Sequence, residues 1–176
     1  KLFAVDLFAA RKRLETNSFI QSASVNREAP NRIRISVAER QPVAAMVLDR
    51  LVYLDSEGFV LPPARSENLF DLPVITGLAH SKDLAPGRQT FNTDIRDALE
   101  ILSVAQLIDD ELYRKISEVR VERGKDIMLY TAENGVPIVF GRGDTAAKLV
   151  KFETFWDEFV AHHGASELQY VDLRYE

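Results

Sequence analysis

The hydrophobic positions of this chain change period several times, and each change marks an element. Behind Asp6, a residue type that caps helices, Leu7, Ala10 and Leu14 recur at helical spacing, and Asn17 is a natural stop. Ser18 and Gln21 then form an S-x-x-Q capping pattern, which predicts a second short helix carrying Phe19, Ile20 and Ala23. From Ser24 the period falls to two. Ser24–Glu28 reads as extended, Pro30-Asn31 as a turn, and Arg32–Glu39 as a strand with Ile33, Ile35 and Val37 facing a core. Arg40-Gln41-Pro42 ends this α+β module of two short helices on a small sheet. About forty residues are few for an independent core, so a further strand is expected upstream of Lys1.

Beyond Pro42 the pattern is that of a β-meander: Val43–Leu48, Leu51–Asp55 and, after the turn Ser56-Glu57-Gly58, Phe59–Leu61. Residues 62–91 hold Pro62, Pro63, Pro73, Pro86, Gly77 and Gly87, and read as a surface connection in which Leu72–Thr76 alone resembles a strand. Asn92 or Thr93 caps a longer helix in which Ile95, Leu99, Leu102 and Gln106 alternate with Ala98, Ile101, Ala105 and Ile108 around an apolar face. Strands follow at Ile116–Arg123, Ile127–Thr131 and Val136–Phe140. The last two are joined through Asn134-Gly135, a strong hairpin signal, and Pro137 marks an edge or the start of a strand. Asp144 or Thr145 caps the final helix, which buries Leu149, Phe152, Trp156 and Phe159 and stops at Gly164. His162 and His163 in its last turn suit the negative end of the helix dipole.

The chain closes on Leu168–Tyr175, with Val171, Leu173 and Tyr175 on one face and Tyr170, Asp172 and Arg174 on the other. No hairpin partner follows this strand. Unless it is inserted between earlier strands, one of its edges carries unpaired N–H and C=O groups, and such an edge aggregates, is protected, or binds something. Strand addition by a partner is the functional reading, and an ordinary closing strand with a protected edge is the alternative.

Composition narrows the classes that remain. A hydrophobic content of 46% is that of a folded protein, and a net charge of −5 argues against a nucleic-acid partner, which demands a basic surface. The absence of cysteine excludes disulfides, thiol nucleophiles and thiolate metal sites. No apolar run approaches the roughly 18 residues of a membrane span, there is no signal peptide, and the sequence begins at Lys1 without Met. It is therefore expected to be an excised soluble region. Asp109-Asp110-Glu111 reads as a solvated turn, and Asp55-Ser56-Glu57-Gly58 lacks calcium-loop spacing. Gly141-Arg142-Gly143-Asp144 lacks the Lys-Ser/Thr of a phosphate loop, and His80, His162 and His163 lack metal-ligand spacing. No catalytic residue, metal or cofactor is expected.

Four stretches together resemble a known family. Ala23-Ser24-Val25-Asn26-Arg27-Glu28-Ala29-Pro30-Asn31-Arg32-Ile33-Arg34-Ile35-Ser36-Val37-Ala38-Glu39-Arg40-Gln41-Pro42-Val43-Ala44 is similar to the V-x-R-x-x-P-x-x-[IL]-x-I-x-V-x-E-R-x-P-x-A pattern of the FtsQ/DivIB cell-division proteins. Tyr53–Val60 is similar to that family's D-x-x-G hairpin and Leu72–Gly77 to its L-P-x-I-x-G. Phe140–Asp144 with Lys148-Leu149 and the closing Tyr170–Tyr175 complete the match. The resemblance implies a partial POTRA domain over residues 1–41 and a mainly antiparallel β domain with two longer helices over 42–176. It further implies a non-enzymatic scaffold of the divisome, at the septum. The full-length protein would be anchored in the inner membrane by one span preceding Lys1, with this region in the periplasm. FtsB and FtsL are the implied partners, FtsB adding a strand to the closing strand. Carried over onto this sequence, Arg174 and Tyr175 match the partner-contacting Arg-Tyr pair, Tyr170, Val171, Asp172 and Leu173 supply the backbone edge, and Arg123 matches a basic position. The family pattern continues beyond this Tyr, whereas the sequence ends at Glu176. A POTRA-containing component of an outer-membrane assembly or secretion system is the alternative, although no second copy of the Arg27–Glu39 pattern occurs. An uncharacterised hydrolase would require a polar cleft with perturbed carboxylates.

Overall fold

The computed structural model describes residues 5–62, 70–78, 84–122 and 124–175. The chain divides into two compact units, Lys1–Gln41 and Pro42–Glu176.

In the first unit, helix α1 (Leu7–Glu15) starts where the sequence places it: the Asp6 carboxylate accepts the amides of Phe8 and Ala9, each at 3.0 Å. Strands β1 (Ile20–Glu28) and β2 (Arg32–Glu39) form an antiparallel hairpin. The second short helix expected at Ser18–Gln21 does not form. Asn17 Oδ1 accepts the Phe19 amide at 3.1 Å and turns the chain, and Phe19 O accepts the Arg40 amide at 2.9 Å, so strand pairing reaches back to the capping pattern. That pattern has no periodic apolar run behind it, and a helical nucleus without propagation loses to ladder bonds. Ile33 is half-buried, but Ile35 and Val37 are 54% and 43% exposed, contrary to the core-facing role expected of them. One short helix lying along β1 cannot cover both strands, and Ala23 is the sole buried residue among those described in this unit.

The second unit is built on one sheet of eight strands: β3 (Pro42–Val47), β4 (Leu51–Asp55), β5 (Val60–Leu61), β6 (Val74–Thr76), β7 (Ile116–Arg120), β8 (Met128–Thr131), β9 (Pro137–Val139) and β10 (Val171–Asp172). Their order is β10-β9-β8-β7-β6-β3-β4-β5. Ladders β3–β4, β4–β5, β7–β8 and β8–β9 are antiparallel, while β3–β6, β6–β7 and β9–β10 are parallel. The meander β3-β4-β5 is the one expected. The strand-like stretch within the connection forms β6, and it lies in mid-sheet between two parallel neighbours, with Ile75 buried. Parallel pairing needs no adjacent hairpin, so three residues between Pro73 and Gly77 leave little local sign of a central strand. Residues 63–69 and 79–83 of that connection lie outside the described residues, His80 among them. Pro137 starts its strand rather than marking an edge, since β9 is paired on both sides. Asn134 and Gly135, with φ of 58° and 59°, make the tight turn before it.

Registers carry one buried row across the sheet: Val52, Met46, Ile75, Val119, Leu129 and Ile138 stand side by side and Val171 ends the row, half-buried, on β10. Helices α2 (Thr93–Ile108) and α4 (Thr145–Phe155) close over this face with Ile95, Leu99, Leu102, Leu149 and Phe152. Each such side chain contributes about 1.5–3 kcal/mol on burial. Asn92 caps α2 through the Ile95 amide at 3.2 Å. The acidic run is exposed as expected but is not a turn: Asp109 accepts the Glu111 amide and caps a short helix, α3 (Asp110–Arg114). α4 runs through a π turn, Trp156–Val160, into α5 (Ala161–His163). Asp144 holds the N-cap position of α4 with φ of 51°, and its side chain makes no capping bond.

Candidate functional site

The opposite face of the sheet has two parts. Beneath β5, β4 and β3, Leu61, Tyr53 and Ala45 form a small second core, and Phe70 meets the Tyr53 ring edge-on at 5.2 Å. Beneath β7 to β10 the same face is open: Arg120, Met128, Val139 and Asp172 stand in one cross-strand row. Met128, Tyr130 and Val139 line an open hollow of about 540 Å³, rimmed by Arg120, Glu122, Lys125 and Asp126. The signal was present in the sequence, because Met128 and Tyr130 alternate with the core residue Leu129 and so must leave the helix-covered face.

β10 is one of the two terminal strands of the sheet and pairs with β9, whose Val139 lines this hollow. Leu173 donates its amide to Val139 O at 2.9 Å, so residues 171 and 173 turn their backbone groups towards β9. By the alternation of a strand, the N–H and C=O of Asp172 face the unpaired side. Val171 and Leu173 sit on the core side as the spacing implies, with Leu173 7% exposed, and Tyr170 projects outwards at 62% exposure. Tyr175 does not join the core face; it is 72% exposed. The ladder stops at Leu173, where Asp172 Oδ1 accepts the Arg174 amide at 3.0 Å and bends the chain out of register.

Arg174 is held against its own domain. Its guanidinium meets Asp172 at 2.7 and 3.0 Å and Asp126 at 2.8 Å, and lies 5.3 Å from the centre of the Tyr175 ring. The Arg174 fork, with its backbone amide second, holds the Asp172 carboxyl below its ordinary range. The arginine is raised in turn, by Asp172 first and Asp126 next. Asp126 belongs to this arrangement and nothing local in the sequence marks it, whereas Gly141, over which the Arg174 side chain passes, lies in the Phe140–Asp144 stretch singled out in the sequence. The neighbouring Arg142 serves the fold instead. It donates to Asp94 at 2.7 Å, to Asp97 and to Lys125 O, tying the start of α2 to the loop after β9. Arg123 lies outside the described residues. Among the described residues there is no group of three His, Asp or Glu side chains able to hold a metal, and no helix long and apolar enough to cross a membrane.

The family model described as cell division protein FtsQ/DivIB, C-terminal, matches residues 45–174. The chain belongs to the FtsQ/DivIB family. An FtsQ-type POTRA domain model matches residues 1–40, which leaves the outer-membrane alternative without support. Among curated relatives, the cell division protein FtsQ of Geotalea daltonii is 30% identical over 174 residues, covering 99% of this chain and 62% of that protein. Those of Syntrophotalea carbinolica and Myxococcus fulvus are 32% and 30% identical over 176 residues, covering 97% and 98% of this chain and 60% of each relative. The chain thus spans roughly three fifths of the length of these family members.

Proposed function

We propose that this chain is the extracytoplasmic region of a non-catalytic scaffold of bacterial cell division, and that it binds FtsB, with FtsL, through a strand of FtsB added to the free side of β10. In this reading the whole protein is tethered to the inner membrane by a span outside this sequence and works in the periplasm at the septum. The observation that carries the proposal is the position of β10: it ends an eight-stranded sheet next to β9, whose Val139 lines an open hollow, and the Asp172 backbone faces outwards.

Magnitudes decide what else is needed. A strand docked along Tyr170–Leu173 gains at most three or four backbone hydrogen bonds, worth about 0.5–1.5 kcal/mol each. Micromolar binding requires about 8 kcal/mol after association costs, so backbone pairing alone falls short. Exposed Tyr170 and Tyr175 and the apolar floor of Met128 and Val139 supply the remaining contact. The test is capture of an FtsB segment by the chain with Leu168–Tyr175 intact or deleted, the deleted form first shown to be folded. Capture lost on deletion supports the proposal, and equal capture refutes it.

A further inference from the structure

β10 is tied to the sheet by very little backbone. Two paired residues, Val171 and Asp172, and the single bond from Leu173 to Val139 are its ladder, and isolated pairings of this length are marginal. What continues across the sheet is the Arg174 side chain. It leaves the end of β10, passes over Gly141 just beyond β9, and reaches Asp126 just before β8. A methyl group on Gly141 would stand 2.9 Å from Arg174 Cγ and 3.4 Å from Cδ, so the bare Cα forms the bed on which the side chain lies. At the far end the same guanidinium lies against the Tyr175 ring.

From this geometry we infer that Asp126 is a positioning residue for the β10 edge: by anchoring Arg174 across β9 it fixes where β10 ends and where Tyr175 leaves the sheet. The inference rests on the strand-addition reading for its consequence in binding, but not for its consequence within the chain. Arg174 is then a rivet of the edge as much as a surface contact. The side chains of Arg174 and Asp126 are 37% and 46% exposed, so the pair is screened by salt. A purely steric role would not be.

The test is amide exchange at Leu173 in the whole chain, at low and at 1 M salt, with Asp126→Asn and Asp126→Glu, alongside binding of a synthetic FtsB segment. Asp126→Asn is expected to speed Leu173 exchange about three- to fivefold at low salt, the size of a surface ion pair. Added salt should do the same to the unmodified chain and little to the variant, and Asp126→Glu should restore part of the protection. Binding of the segment should weaken by a similar factor. Unchanged Leu173 exchange in Asp126→Asn overturns the inference, as does faster exchange with binding equal to that of the unmodified chain. If the unmodified chain fails to bind the segment at all, the strand-addition reading fails instead, and the salt-dependent exchange alone decides whether Asp126 holds the edge.

Discussion

Tyr113 donates its phenolic hydrogen to Val43 O at 2.9 Å from inside the core, joining α3 to β3. Burial first, and the charge of Asp71 second, push its pKa up to about 12. A phenol whose pKa is raised on folding contributes stability below its unfolded value, near 10, and that contribution is lost as pH rises through the folded one. Alkaline titration followed by ultraviolet absorbance should therefore show one of the five tyrosines ionising last, and Tyr113→Phe should remove that step. The same substitution strands the Val43 carbonyl and should lower stability by about 1 kcal/mol, read by urea unfolding. Asp172 behaves oppositely. Its pKa is depressed by Arg174, so the pairing is intact above the ordinary carboxylate range and is lost as pH falls through the lowered value. Arg174→Glu removes partly exposed ion pairs at the end of the sheet and leaves the core untouched, so the thermal midpoint should stay nearly unchanged while capture of an FtsB segment weakens. Equal affinity in both proteins would take Arg174 out of the site.

Among the elements, those with a full local signature were legible in sequence: α1 from its Asp cap, β2 from its alternation, β4 from the turn Ser56-Glu57-Gly58 behind it, α2 from its apolar face, and the β8–β9 hairpin from Asn134-Gly135. β6 was harder to place, because three residues between parallel neighbours carry no local cue to their central position. The Ser18–Gln21 pattern misled for the converse reason, a local cue overridden by pairing with β2. For the site, alternation gave the order of side chains through Leu173, and then failed at Tyr175, where a side-chain bond from Asp172 bends the chain. At this scale Asp172→Pro is informative. Its lost amide faces solvent rather than β9, a place where an edge strand tolerates proline, so the fold should survive while partner capture falls. Asp172→Ala, which removes the Arg174 contact but keeps the amide, should retain most of the capture. Equal loss in both would shift the role from backbone to side chain.

For the molecule as a whole, the buried row across the sheet and the helices over it lie entirely within Pro42–Glu176, while the first unit buries little. Phe152→Ala, which empties the middle of that core, should cost about 3–5 kcal/mol in unfolding. Changes at exposed Ile35 should cost less than about 0.5 kcal/mol. The sheet is covered on one face by helices, and its other face carries a small core under β3, β4 and β5 and an open hollow under β7, β8 and β9. Residue patterns along the chain located β10, but its standing at the sheet's end follows from register and order, which arise only when distant segments meet. The most direct measurement is the exchange rate of the Asp172 amide with and without saturating FtsB segment. Strand addition predicts strong protection of Asp172, with Leu173, already bonded to Val139, changing far less. An Asp172 amide that exchanges at the same rate in the bound complex would contradict it.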